Sequence, residues 1–280
     1  MIRSAAALLL ALAWPVAVGT AQGASGTTPG GIAWEMTGTG PAMVLIPGSN
    51  LDRRLWVDVV DSLARDHRVI RYDPRAHGQS ADVTGPFSNV DDLAEVMDVT
   101  GVRRAILVGL SAGSTVALDF ALTHPDRVER LVLAAPWPGG MQASEQPAYL
   151  QPLIEKLRAG DVVGAAEVLA GAPVFAAPTE RAALARQMVI DNARLFRQDA
   201  RQVRAMNPPA VSRLAEVSVP TLVIVGAEDA VDIRRAADTL AITIPGARRV
   251  DLPGAGHLIP FWAPQAFITA VRAFVRRDPS

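Results

Sequence analysis

The sequence predicts an α/β fold, a mostly parallel central sheet with helices on both faces and a helical segment inserted into the series. Three observations carry this. Short apolar runs at residues 43–46, 69–72, 105–108, 131–134 and 221–225 alternate with segments of helical periodicity. These runs are continuous rather than alternating, the pattern of strands buried on both faces. Between residues 137 and 214 the alternation stops and only helical stretches are found; afterwards it resumes.

Taken in order, residues 22–31 are rich in Gly, Ser and Thr and read as a flexible start. Residues 32–36 read as a first strand, followed by the turn Thr37-Gly38-Thr39-Gly40-Pro41. The strand at 43–46 ends in Pro47-Gly48. Residues 51–65 have helical spacing, with Leu55, Trp56, Val59 and Leu63 on one side. The strand at 69–72 closes in Asp73-Pro74 and the turn-rich Arg75-Ala76-His77-Gly78-Gln79-Ser80. A helix over 89–99 has Asn89 as N-cap and Gly101 as stop. The strand at 105–108 is followed by a helix over 112–122, which His124-Pro125 ends because the residue before proline disfavours helical backbone. The insert holds helices over 145–158, 161–169 and 179–206, the last with Leu184, Met188, Leu195 and Val203 on one stripe; Asn207-Pro208-Pro209 is its return linker. A strand at 221–225, a helix over 233–243, a strand at 248–252 and a helix over 264–276 complete the chain.

Bulk properties narrow the function. The chain has 280 residues, half of them hydrophobic, enough for one large core with an inserted subdomain. A formal net charge of −1 gives no reason to expect nucleic acid or an anionic membrane as partner. The absence of cysteine excludes thiol nucleophiles, disulfides and thiolate metal sites. Arg3, the apolar stretch 5–18 and the small residues Gly19-Thr20-Ala21 read as a signal peptide over 1–21, too short to span a membrane comfortably. A secreted or periplasmic protein, with no stable membrane insertion once the signal is removed, is the expectation.

The chemistry gathers around Ser111, which lies in Gly109-Leu110-Ser111-Ala112-Gly113 between a strand and a helix. That context forces a serine onto a sharp turn with its hydroxyl exposed above a sheet. A serine hydroxyl needs a base, a group to hold the base and donors for the developing oxyanion. Of the four histidines, His67 sits among charged residues and reads as solvated. His77 reads as a structural hydrogen-bonding residue of its turn, and His124 as a helix cap. His257 follows a strand and the loop Pro253-Gly254-Ala255-Gly256, on the edge of the sheet where Ser111 lies. For the acid, Asp229 and Glu228 compete at the end of the 221–225 strand, with Asp232 a third option; Asp73 reads as an anchor of its own loop. Loops after parallel strands gather at one edge, so Ser111, Asp229 and His257 can converge. The oxyanion donors are expected from the backbone N–H of Ala112, at a helix N-terminus, and of Ser49, in the loop after residue 46.

Together, Pro47-Gly48 with downstream Trp56, the segment from Tyr72 to Ser80, the Ser111 motif, Gly226-Ala227-Glu228-Asp229 and Gly254-Ala255-Gly256-His257 resemble the α/β-hydrolase superfamily. The resemblance implies the α/β-hydrolase fold, in two core parts at residues 22–136 and 215–280 with a helical cap at 137–214. It implies a Ser111–His257–Asp229 triad, an oxyanion hole from Ser49 and Ala112, and no metal or cofactor. The chain departs from the family pattern in three places: Pro47 stands where many members have histidine, Ala76 where many have glycine, and Ser114 where a further glycine often follows. The Ala76 change is expected to matter little.

The expected activity is hydrolysis of a small-molecule carboxylic ester through an acyl-enzyme. Lactone, amide or C–C bond hydrolysis and cofactor-free perhydrolysis are the alternatives on the same triad. A non-catalytic ligand-binding protein of the same fold is the alternative of another class. Within the insert, Trp137, Tyr149, Phe175, Met188 and Phe196 are available to an apolar substrate group; packing within the cap is expected for most of them, and Trp137 is the substrate-binding candidate.

Overall fold

The computed structural model describes residues 23–276; the expected signal peptide over 1–21 lies outside them. Eight strands form one sheet: β1 (Ala24–Thr27), β2 (Ala33–Thr37), β3 (Ala42–Ile46), β4 (Arg68–Tyr72), β5 (Ala105–Leu110), β6 (Val128–Ala134), β7 (Thr221–Gly226) and β8 (Arg248–Leu252). Their order is β1-β2-β4-β3-β5-β6-β7-β8. From β4 to β8 neighbours are parallel, while β2 pairs antiparallel with both β1 and β4. The helices are α1 (Val60–Leu63), α2 (Asn89–Val99), α3 (Ala112–Thr123), α4 (Leu150–Arg158), α5 (Val162–Ala170), α6 (Thr179–Asp191), α7 (Val231–Thr243), α8 (Ile259–Trp262) and α9 (Pro264–Val275).

Every residue of β3, β5 and β7 is buried, as their continuous apolar sequences require. Alternate side chains feed two separate cores. Val44, Ile70, Leu107, Leu131 and Val223 pack with Leu93 and Val96 of α2, Leu118 and Phe120 of α3 and Leu240 of α7. Met43, Leu45, Ile106, Val108, Val132 and Ile224 pack on the other face with Leu55, Trp56 and α9 residues Phe267, Val271 and Phe274. The outer strand β8 carries Arg248, Arg249 and Asp251, charges that discourage pairing with another chain.

Between β6 and β7 the described residues hold helices and no strand, as the sequence predicts. Leu153, Ala165, Leu169 and Val189 form a small core of this insert, and Tyr149, Phe175 and Phe196 pack against it. Met188 instead reaches the main core.

Four local expectations need correction. Residues 24–27, expected to be flexible, pair with β2; Ala-Ser-Gly-Thr has no apolar alternation, and its strand rests on backbone hydrogen bonds at an edge. Residues 51–65 form a 3₁₀ turn, Arg53–Trp56, and the short α1, because Asp52 accepts from the Arg54 amide and caps the turn. Ser88, not Asn89, caps α2, accepting from the amides of Val90 and Asp91. The helix expected over 179–206 stops at Asp191 and continues as 3₁₀ turns Ala193–Arg197 and Ala200–Gln202, because Asn192 turns inward to hydrogen-bond the core.

Candidate active site

Ser111 joins β5 to α3 with φ 54° and ψ −118°, a conformation L-residues rarely adopt and one that costs on the order of 1–3 kcal/mol. Several bonds hold it there. Its amide donates to Ala134 O at 2.9 Å, and its carbonyl accepts from the Ser114 amide at 2.8 Å and the Ser114 hydroxyl at 2.6 Å. The flanking glycines are required sterically. A Cβ at Gly109 would stand 2.2 Å from Gly113 O, and one at Gly113 would stand 2.1 Å from Ile46 O. Ser114, one of the departures from the family pattern, has a clear part. Its hydroxyl also accepts from the Trp137 amide at 3.1 Å, while Thr115 Oγ1 donates to Trp137 O at 2.5 Å, so the first turn of α3 is stapled to the start of the insert.

The loop after β3 lies against this turn: a Cβ at Gly48 would be 3.3 Å from the Ser111 Cβ. Ser49 is exposed, and the Asn50 backbone has φ 59°. With proline at 47, other side chains shape the loop. The Asn50 amide donates to His77 Nε2 at 3.0 Å, and His77 Nδ1 faces Arg75 O at 2.9 Å, which makes Nδ1 the protonated nitrogen. Burial pushes the His77 pKa below the ordinary histidine value, favouring the neutral ring this arrangement needs. From the insert, fully buried Asn192 donates to Asn50 O at 3.2 Å and to Asp52 Oδ2 at 3.1 Å, and accepts from the Gly78 amide at 2.7 Å. Asp73 anchors its loop as expected, accepting from the amides of Arg53 and Gln79.

On the same edge, His257 Nδ1 lies 2.9 Å from Asp229 Oδ2 and 3.1 Å from Oδ1, with both side chains buried. Asp229 is thereby distinguished from its competitors. Glu228 is exposed, and Asp232 accepts from the amide and hydroxyl of Ser144. The Glu228 amide donates to Ala255 O, tying the acid loop to the histidine loop. With Nδ1 committed to Asp229, Nε2 is the nitrogen left to exchange a proton. Ser111 and His257 share the sheet edge without a direct hydrogen bond between them among the described residues. Of the remaining histidines, His67 is buried rather than solvated, with burial lowering its pKa, and His124 sits at the end of α3 beside Thr123 Oγ1.

Two cavities meet this edge. One of about 640 Å³ is lined by Gly48, Ser49 and Ala112 and runs along α3 beneath the insert's return segment. The Phe87 amide donates to Gln202 O and the Arg204 amide to Phe87 O, closing its roof. The other, about 440 Å³, is lined by Asp229 and His257 and by Val174 and Ala176 of the insert. Such volumes suit small molecules. Ser111 is partly exposed and lines neither; Trp137 also lines neither, and its backbone is what joins it to the site. Sequence reading missed Asn192 and Asp119, a carboxylate in the α3 wall of the larger cavity. The spacing of Ala185, Met188 and Asn192 on one helical face was the available signal for the first.

Known hydrolases resemble this chain in sequence and fold. The chain is 28% identical over 274 residues to a putative carbamate hydrolase, RutD, of Caulobacter sp. (strain K31), covering 90% of this chain and 97% of that one. It is 28% identical over 267 residues to the pimeloyl-[acyl-carrier protein] methyl ester esterase of Nitrosomonas europaea, covering 85% and 97%. Its structure superposes on a thermophilic esterase from Thermogutta terrifontis with a TM-score of 0.74 and 29% identity, over 91% of this chain and 98% of the other. A sequence profile described as the alpha/beta hydrolase family matches residues 43–270, and the chain belongs to that family.

Proposed function

We propose that this protein is a serine hydrolase that cleaves a carboxylic ester through an acyl-enzyme. The observation that carries the proposal is the strained Ser111 turn on the same sheet edge as the buried His257–Asp229 pair. Ser111 Oγ attacks the acyl carbon while His257 Nε2 takes its proton, a contact that tightens once substrate is bound in sites of this kind. The carbonyl oxygen, now negative, is held by the backbone N–H groups of Ser49 and Ala112, the latter at the positive end of α3. His257 then protonates the leaving alcohol, and Asp229 stabilises the imidazolium. Water repeats the sequence on the acyl-enzyme, releasing the acid and restoring Ser111. Residues 137–214 act as a cap over the pocket. The similarity to putative carbamate hydrolases makes a carbamate, cleaved by the same attack, the second reading.

Turnover of nitrophenyl esters of graded chain length tests the proposal. Ser111→Ala and His257→Ala each lower kcat on the order of a thousandfold or more, and the double variant costs hardly more than either alone. Asp229→Asn is severely impaired while Glu228→Gln is nearly silent; the reverse result overturns the acid assignment. We also propose export to the periplasm or medium, on the character of residues 1–21. N-terminal sequencing of the mature protein is then expected to begin near residue 22.

A further inference from the structure

The larger cavity, about 640 Å³, starts at the proposed oxyanion donors and has one face of α3 as its floor. Ala112, Thr115, Val116, Asp119 and Thr123 all line it, a single stripe at helical spacing. The character of that stripe changes along its length. Its first turn offers the Ala112 and Thr115 methyl groups and Val116. Around it Val90 and Met206 pack on the core with one side, as Val116 does, and are half-buried, so each leaves apolar surface to the cavity. Leu195 of the insert, also half-buried, lines the same space. Polar neighbours spend their hydrogen bonds within the protein. Thr115 Oγ1 donates to Trp137 O, both His77 nitrogens are engaged by Asn50 and Arg75, and Arg75 pairs with Asp92. From Asp119 onward the floor is polar: Asp119 stands near the Arg213 guanidinium, and Thr123 Oγ1 lies 2.8 Å from His124 Nδ1. An occupant therefore meets apolar wall next to the reacting centre and polar wall beyond it.

We propose that this cavity is the acyl subsite and takes an unbranched apolar acyl chain, with Val116 in the floor and Leu195 from the insert setting its preference. The inference rests on the hydrolase reading, which places the reacting carbonyl at Ser49 and Ala112. The acyl side, rather than the alcohol side, follows from the base: His257 must reach the leaving oxygen, and it lines the other cavity. The length follows from the helix. Asp119, where the apolar floor ends, is ~10 Å from Ala112 along the axis at about 1.5 Å per residue. An extended chain advances about 1.2 Å per bond, so the apolar stretch holds an acyl group of about eight carbons.

Nitrophenyl esters from acetate to hexadecanoate are the probes. The wild-type kcat/KM is expected to rise about threefold per added CH₂, the factor that burying a methylene carries, up to about eight carbons and no further. Val116→Phe puts a ring into the floor and is expected to lower the ratio of octanoate to acetate kcat/KM on the order of tenfold. Leu195→Trp, a change on the insert rather than on the core helix, is expected to lower the same ratio and covers a folding defect in the first variant. A wild type that prefers acetate, a rise that continues through hexadecanoate, or a ratio unchanged in both variants overturns the subsite and leaves the hydrolase reading standing. Failure of the hydrolase reading has a different signature: no ester is turned over and no fluorophosphonate labels Ser111. Calorimetry with octanamide then decides the cavity, where saturable binding weakened by both variants keeps the eight-carbon site and the absence of saturable binding overturns it.

Discussion

At the scale of single residues, backbone strain and a buried carboxylate carry measurable costs. Ser111 has φ 54° in a region where glycine alone is comfortable. Ser111→Gly is therefore expected to raise stability by about 1 kcal/mol or more over Ser111→Ala, since only glycine relieves the backbone while both remove the hydroxyl. Chemical denaturation of the two variants checks this. Ala76 carries a related cost. At φ 61° it occupies a conformation that the glycine common in the family takes freely, so the change that sequence reading treated as minor is paid in backbone strain. Asp119 adds an electrostatic example. Its pKa is raised from 3.8 to about 6, so the fold favours the neutral acid. Ionisation then costs stability, starting above pH 3.8 and complete above about pH 6. Asp119→Asn is expected to stabilise the protein by about 1–2 kcal/mol at pH 8, a figure reduced for partial exposure, and by almost nothing at pH 4. A stabilisation independent of pH would show that charge is not the cause.

At the scale of elements, the insert is bolted to the sheet edge that carries Ser111 at two places. Ser114 and Thr115 hold its beginning through the Trp137 backbone, and Asn192 holds the loop after β3 from the end of α6. With proline at position 47, this loop is held by Asn192 from the insert and by His77 from the core. Asn192→Ala removes three hydrogen bonds and leaves the buried Asn50 carbonyl without its partner, while Asp52 Oδ2 keeps Arg54; the cost is about 1–3 kcal/mol of stability. If Asn192 also positions the Ser49 amide, the variant lowers kcat about tenfold or more with little change in KM, the signature of an interaction made in the transition state. A melting shift with kcat unchanged would reduce Asn192 to a structural bolt.

At the scale of the molecule, the sheet and the edge on which Ser111, Asp229 and His257 stand were legible because both follow from local rules. Continuous apolar runs mark doubly buried strands, and loops after parallel strands must share an edge, so Ser111, Asp229 and His257 were brought to one edge from residues far apart in sequence. What escaped was set by contacts between distant segments. β1 forms from Ala-Ser-Gly-Thr only because β2 offers a free backbone edge, and the 179–206 helix breaks because Asn192 is drawn 142 residues back to Asn50. Among the described residues no helix is long and apolar enough to cross a membrane.

The most direct measurement is the site of covalent modification by a fluorophosphonate, which reacts far faster with a serine activated by a neighbouring base than with an ordinary hydroxyl. Peptide mass mapping of the labelled, folded protein is expected to find one adduct, on Ser111, absent from Ser111→Ala and strongly slowed in His257→Ala. An unlabelled folded wild type, or an adduct on another residue, would contradict the assignment of Ser111 as nucleophile.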